Sequence, residues 1–484
     1  MSLFLANLVL GLENNSIKQN LLVIIFFVIS VAFTGFYIDL TFDGQAYHQE
    51  MMIQMRKGWN PLYNAIDASN NQAVWVNHYP KSFEIIGTAF YSVFNTIKST
   101  KAINLIFLVL SFLYVKNYLF AIRMEKLKAY KISFFVAFNP IIITQLNTNL
   151  IDGFLYAVSV ILVCSYLMRA KQKKYFIDFI LALLILFNVK FTGVVFATCL
   201  TGILLVYSYV KGESIIVLIK RVVVLMLISL PFIVTPYLKN VYTNGHVFHP
   251  LMGKYKIDFA EDYVPDILKH KGSLERLVVT NFVSIGNRSD SYFKIPFTFN
   301  LQELKKLNNG SPRVGTFGVM WGGILLFSFV AYLWGVFKNR KKFKFSILEF
   351  IIITIIALMF LNKAGWWLRY TPYVWTIPLL LFLSINRYNK NSQFLNVLSV
   401  SAVVNTVLIL VISIGLRAVD SFKMHQELKQ LSAMNKEVTV DFNAYLGNKV
   451  LFEEYKIEYI EKDAKYFYNP KTINNVVIIE SNED

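Results

Sequence analysis

The stretch LLVIIFFVISVAFTGFYIDLTFDGQAYHQEMM, residues 21–52, decides the fold. Its first part, up to Ile38, is an apolar run of the length that crosses a hydrocarbon layer, about 20 residues. Its second part sets a carboxylate, a glycine, a tyrosine and a histidine within Asp43–His48, just where the chain leaves the apolar phase.

Composition extends that reading to the whole chain. Of 484 residues, 55% are hydrophobic, 16% aromatic and only 16% charged, against about 25% charged in an ordinary soluble protein. The mean hydropathy is +0.48. The class expected is an all-α polytopic membrane protein. Cys164 and Cys199 both lie in apolar runs, which excludes a disulfide framework or a thiolate metal cluster and makes them buried small hydrophobes.

A net charge of +18 could suggest nucleic acid, but the basic residues come in short clusters between apolar runs. The clusters are 123–131, 169–174, Lys211 with Lys220 and Arg221, 338–344, and 386–390. The positive-inside bias produces that spacing, so all five are placed in the cytoplasm and no nucleic-acid partner is expected. The N-terminal segment lacks the small-residue cleavage site of a removable signal.

Between these anchors, apolar segments at 21–38, 102–122, 131–146, 153–168, 175–192, 194–210, 222–239, 314–337, 346–361, 370–385 and 394–416 predict about eleven transmembrane helices. With the N-terminus inside, loops 39–101 and 240–313 and the tail 417–484 fall outside. SFEIIGTAFYSVFNTI, 82–97, is apolar but short, and is expected to lie as an interfacial helix on the outer leaflet. If it crossed instead, Asp43 would face the cytoplasm. The tail is charged and contains NNVVIIE, which predicts a small mixed α/β appendage. The expected organisation is therefore a transmembrane domain over 1–416 and a small extracytoplasmic domain over 417–484. No internal repeat is visible, which counts against a transporter built from inverted repeats.

Two acidic residues stand on the expected outer face. Asp43 follows the first span, and Asp152 ends the short loop QLNTNLID, 145–152. An ionisable group costs about 2.5–3.5 kcal/mol at the centre of a bilayer, so two on one face point to function. Asp152 could alternatively cap the helix beginning GFLYAV. Asp43 has less excuse, because a carboxylate is unfavourable near a helix C-terminus.

FDGQAYH after the first span, NHYPKSFE at 77–84 and NPIIITQLNTNLID at 139–152 form an ordered series. It continues with NVKFTG at 188–193, TNGHVFHPLMG at 243–253, GTFGVMWGG at 315–323 and WWLRYTPYVWTIP at 366–378. Over about residues 20–385 this series resembles the GT-C superfamily of membrane glycosyltransferases. The nearest branch is the bacterial relatives of protein O-mannosyltransferases and lipid A aminoarabinose transferases.

The resemblance implies an enzyme of cell-surface glycan modification, which moves a sugar from a polyprenyl-phosphate donor to an acceptor hydroxyl on the extracytoplasmic face, with inversion. The acceptor class stays open among a lipid-linked glycan, a lipid and a protein. It makes Asp43 the general base, and Asp152 an acceptor-orienting group, a second acid, or a ligand with Asp43 for a divalent metal, Mg or Mn. Lys190, Arg369, Tyr370 and Lys81 would bind the donor phosphate, where guanidinium donors suit phosphate oxygens. Lys190 could instead snorkel, Arg369 could anchor at the interface, and Lys81 could pair with Glu84 at i, i+3.

His48, His78, Glu84 and His249 are weaker candidates for contacting substrate; the histidine spacings match no compact zinc pattern, and solvated loop histidines are the alternative. The Asp43-Gly44 pattern departs from the Asp-Glu pair of some members, which weakens a metal-dependent scheme. A polysaccharide polymerase or ligase would instead lean on Arg276, Arg288, Arg313 and His270. A flippase or transporter would need charged or broken helices near the midplane.

Overall fold

The computed structural model describes residues 17–67, 72–388, 392–467, 470–474 and 476–480. The expected placement of the N-terminus falls on residues 1–16, outside the described residues.

The chain is predominantly helical, and its apolar helices make it an integral membrane protein. Among the described residues, four helices are long and apolar enough to cross a bilayer: Ile97–Ala121, Phe191–Val210, Trp321–Lys338 and Gln393–Ala433. A fifth crossing results if Ile215–Ser229 and Val234–Asn244, bent by 75°, count as one. Five further apolar helices are shorter, including Asp152–Met168 and Ile347–Leu361. Eleven full-length spans are therefore not what the described helices show by length and composition.

The shortfall has local causes. The segment expected at 131–146 is two pieces, Lys126–Ala137 and Pro140–Gln145. Asn139 caps the second by accepting from Ile141 N at 2.9 Å, with Pro140 in its first turn. The segment expected at 314–337 becomes helical only at Trp321. Gly315 and Gly318 ahead of it hold φ of 70° and 92°, a backbone that an L side chain resists. The segment expected at 370–385 opens with 3-10 turns over Leu368–Tyr370 and Pro372–Thr376.

At the centre lies Asp152–Met168, buried along nearly its whole length. Ala102–Ala121 and Lys173–Val189 pack on it most extensively. A second group joins Trp321–Lys338, Ile347–Leu361 and Ile377–Asn386, and Pro372–Thr376 touches the central helix. Ser82–Phe94 has 13 residues, with Phe83, Glu84, Gly87 and Tyr91 turned inward and Ile85 and Val93 exposed. At 1.5 Å per residue it is about 20 Å long and falls short of a 30 Å layer.

The last long helix, Ser392–Ala433, runs 42 residues without a break, straight through position 417. Beyond it the tail folds as the mixed α/β unit the sequence suggests. Strands β1 (Val438–Asp441), β2 (Tyr459–Glu461), β3 (Pro470–Ile473) and β4 (Val477–Glu480) form one sheet in the order β2-β1-β4-β3. β1 is parallel to β2 and antiparallel to β4.

Candidate active site

Four of the proposed site residues meet in one charged cluster. Arg369 Nη2 donates to Asp43 Oδ2 at 2.8 Å, and its Nε lies 3.8 Å from Asp152 Oδ2. Lys190 Nζ reaches the other oxygen of Asp152 at 2.6 Å. Tyr370 closes the group: its hydroxyl accepts from Arg369 Nη2 at 2.7 Å, and Lys190 Nζ sits 3.9 Å above its ring. Chain geometry makes this meeting possible. Asp43 follows the first helix, Asp152 begins the central helix, Lys190 separates Lys173–Val189 from Phe191–Val210, and Arg369 lies in the 3-10 turn before Ile377–Asn386.

The loop carrying Asp43 is held by a residue that sequence reading did not single out. The carboxylate of Asp39 accepts from Thr41 N at 2.9 Å, Thr41 Oγ1 at 2.7 Å and Asn149 N at 2.6 Å. Its burial raises its pKa against the lowering effect of those bonds. A Cβ on Gly44 would strike that carboxylate and the Thr41 hydroxyl. Gly44 therefore follows Asp43 because Asp39 fills the space that a side chain would need.

The cluster borders a cavity of about 1290 Å³. Asp43, Lys190, Arg369 and Tyr370 line it, whereas Asp152 lies behind Arg369 and Lys190. Its apolar lining includes Phe191, Val195, Phe196, Leu251, Leu358 and Leu361. The 285–313 segment and the long last helix add Arg288, Arg313, Lys306 and Arg417 to its wall. In total eight lysines and arginines line the cavity against four aspartates, so its field favours an anion.

Burial disfavours charge on Arg369, but Tyr370, Asp43 and Asp152 outweigh it and hold the guanidinium charged, well above its ordinary pKa. Burial also pushes Tyr370 up, so its hydroxyl stays neutral. For Lys190, burial outweighs the attraction of Asp152 and leaves the ammonium below its ordinary value. Arg369 also donates to Ser311, and its ring neighbours are Trp367 and Tyr370, at 4.5 and 4.8 Å from the guanidinium carbon.

These contacts bear on a divalent metal. Asp43 faces Arg369, and Asp152 faces Arg369, Lys190 and Gln145 Nε2, the last at 3.2 Å. Fixed cations and donors occupy both oxygens of Asp152 and one of Asp43, and among the described residues no group of three His, Cys, Asp or Glu gathers at one point. The arrangement does not fit a metal shared by these carboxylates.

The remaining predicted residues sit elsewhere. Lys81 is buried outside the cavity lining, donating to Tyr79 O at 2.6 Å; burial brings its pKa down to about 7. Glu84 bonds His48 in a fully buried pair instead of turning to Lys81. His78 Nδ1 bonds Asn240 Oδ1 at 2.8 Å and stands edge-on to His249, ring centroids 4.8 Å apart. Burial lowers the pKa of both histidines. Arg276 pairs with Glu261 at 2.9 Å and His270 is exposed, while Arg288 and Arg313 join the cavity wall.

Arg417 also escaped sequence reading. It donates to Asn308 O at 3.2 and 3.1 Å, and lies too far along an apolar helix to stand out as a site residue. The signal that could have found it is a lone arginine closing an apolar run, a few residues before Asp420.

The sequence matches no protein-family profile, and no curated protein matches it significantly. Among solved structures, the chain is similar to the crystal structure of ArnT from Cupriavidus metallidurans bound to undecaprenyl phosphate. Identity is 12% and the TM-score 0.49, over 96% of this chain and 98% of that one. The apo state of the same protein gives 11% identity and a TM-score of 0.48, over 95% and 98%.

Proposed function

We propose that the cavity is the active site of a membrane glycosyltransferase that moves a sugar from a polyprenyl-phosphate donor to an acceptor hydroxyl. The single observation that carries this reading is the Asp43–Arg369–Asp152–Lys190 cluster at a cavity lined by both apolar and basic residues. The apolar lining residues suit a polyprenyl chain. Arg369 and Lys190 suit its phosphate, and they would stabilise the negative charge that develops there as the sugar leaves.

Of the two aspartates in the cluster, Asp43 is the one that lines the cavity beside Arg369 and Lys190, so it is placed to take the acceptor's proton. The acceptor's oxygen, as it loses its proton to Asp43, attacks the anomeric carbon while the bond to phosphate breaks; the released lipid phosphate keeps the electron pair, and direct displacement inverts the centre. Asp152 does not reach the cavity; it holds Lys190 and Arg369 in place. Protonation or alignment of the acceptor by Asp152 is therefore not part of the scheme.

The reading includes an extracytoplasmic site, about eleven membrane passages counting the short helices, and an N-terminus in the cytoplasm. Contacts at the other end support that polarity. Arg169 and Arg221 both bind Glu213, and Lys171 reaches Ala121 O, which draws the basic clusters together.

The test is to give purified protein a panel of polyprenyl-phosphate sugars and measure sugar release or transfer, with Asp43→Asn as control. Arg288 and Arg313 in the wall favour a second reading, a ligase or polymerase acting on a lipid-linked glycan. That enzyme would tolerate Asp43→Asn and fail with Arg313→Ala.

A further inference from the structure

The loop that joins Pro140–Gln145 to the central helix is pinned at almost every polar position. Gln145 Oε1 accepts from Gly153 N at 2.7 Å, and Thr148 Oγ1 donates to Gln145 O at 3.0 Å. Asn149 Nδ2 donates to Thr100 Oγ1 at 2.6 Å, and Asn149 Oδ1 accepts from Gln49 Nε2 at 2.8 Å. From outside the loop, Asn104 Nδ2 donates to the carbonyls of Gln145, Thr148 and Leu150.

Asn147 is the exception. It is 1% exposed and borders the cavity, and neither its Oδ1 nor its Nδ2 has a partner. Among the described residues it is the one buried amide side chain with both atoms unpaired. A buried polar group without partners costs about 1–3 kcal/mol, so a loop this well satisfied has no structural reason to keep an asparagine there.

We infer that Asn147 reads hydroxyl groups of the donor sugar. This rests on the proposed function, because Arg369 and Lys190 must hold the phosphate for its sugar to meet the wall this loop forms. A side-chain amide offers one acceptor and two donors, and a sugar hydroxyl supplies both complements. An apolar residue would bind the lipid phosphate equally well and lose the discrimination, since a site built to bond a hydroxyl rejects a ligand that lacks it.

The experiment measures binding to full-length protein in detergent. The probes are undecaprenyl phosphate alone and the same lipid carrying glucose, mannose, galactose or N-acetylglucosamine. The variant is Asn147→Leu, which keeps the size and removes the polar atoms. The expected result is that at least one sugar tightens wild-type binding, that Asn147→Leu weakens that sugar-bearing lipid roughly tenfold, and that affinity for the bare lipid and the thermal midpoint do not fall.

Equal affinity of variant and wild type for every sugar-bearing lipid overturns the inference and leaves the lipid-phosphate site standing. A lower midpoint together with weaker bare-lipid binding makes Asn147 a structural residue and overturns it as well. A wild-type protein that gains nothing from any of the sugars does the same. Failure of the wild type to bind even the bare lipid overturns the proposed function, and this inference with it.

Discussion

At the scale of single residues, the two aspartates differ in what surrounds them, and that predicts different phenotypes. The Asp43 side chain is 25% exposed and has one cation, whereas Asp152 is 5% exposed and binds two. Asp43→Asn keeps the shape but cannot take a proton, so transfer should fall by roughly 100-fold or more while bare-lipid binding survives; a transfer assay beside a binding assay checks both. Asp152→Ala leaves Lys190 and Arg369 buried without their shared carboxylate. Breaking such a pair costs on the order of 3–5 kcal/mol, so its thermal midpoint should drop well below that of Asp43→Ala. Arg369→Lys should recover only part of the donor affinity lost in Arg369→Ala, because an ammonium cannot reach Asp43, Ser311 and Tyr370 as a planar fork does. Lys81 supplies a pH test. Its folded pKa of about 7 lies below that of the unfolded chain, so above pH 7 the unfolded state binds the extra proton and folding stability rises with pH toward the ordinary lysine value. Lys81→Met should flatten that rise, as measured by thermal unfolding between pH 7 and 10.

At the scale of elements, the segment carrying Asp43 is held from both sides. Asp39 anchors it to the loop before the central helix through Asn149, and the tail holds it from the other side: Gly447 N donates to Gln45 O at 3.2 Å, and Lys98 nearby pairs with Glu454 at 3.1 Å. Gly44→Ala should therefore displace Asp43 from Arg369 and lower transfer more than it lowers bare-lipid binding, a split that the same two assays resolve. Much at this scale is legible in the sequence. The positions of most apolar helices, the short helix at 82–94 and the strand within NNVVIIE follow from hydropathy and periodicity. What escapes is where apolar runs stop being helix. Hydropathy does not sense that Asn139 caps a new helix, or that Gly315 and Gly318 adopt positive φ, so spans expected at 131–146 and 314–337 came out too long. The site divides in the same way. Asp43, Lys190 and Arg369 stand out as charges at the ends of apolar runs. Asp39, Arg417 and Asn147 gain their roles from contacts with residues more than a hundred positions away or, for Asn147, from the lack of any contact.

At the scale of the whole molecule, the charged cluster lies at one end of the helices and the basic loops at the other, so one orientation test decides which side of the membrane does the chemistry. The proposed orientation places the 39–101 segment and the tail outside and the 338–344 loop inside. Ser69 and Ser481, which would be natural labelling positions, fall outside the described residues, so exposed neighbours serve instead. Tyr63 is 80% exposed and Tyr466 73%. In a Cys164→Ser, Cys199→Ser background, single cysteines at Tyr63, Tyr466 and Lys342 are treated with a membrane-impermeant thiol reagent in intact cells and again after lysis. Tyr63→Cys and Tyr466→Cys should label before lysis, and Lys342→Cys only after it. The reverse pattern would put Asp43 and the cavity in the cytoplasm and the short basic loops, 169–174 and 338–344 among them, outside, against the positive-inside bias. Labelling of Tyr466→Cys without Tyr63→Cys would mean that the chain crosses once more, or once less, between these sites than proposed. The 13-residue helix Ser82–Phe94 would then be the first place to look, because only local thinning of the bilayer could let about 20 Å of helix cross it.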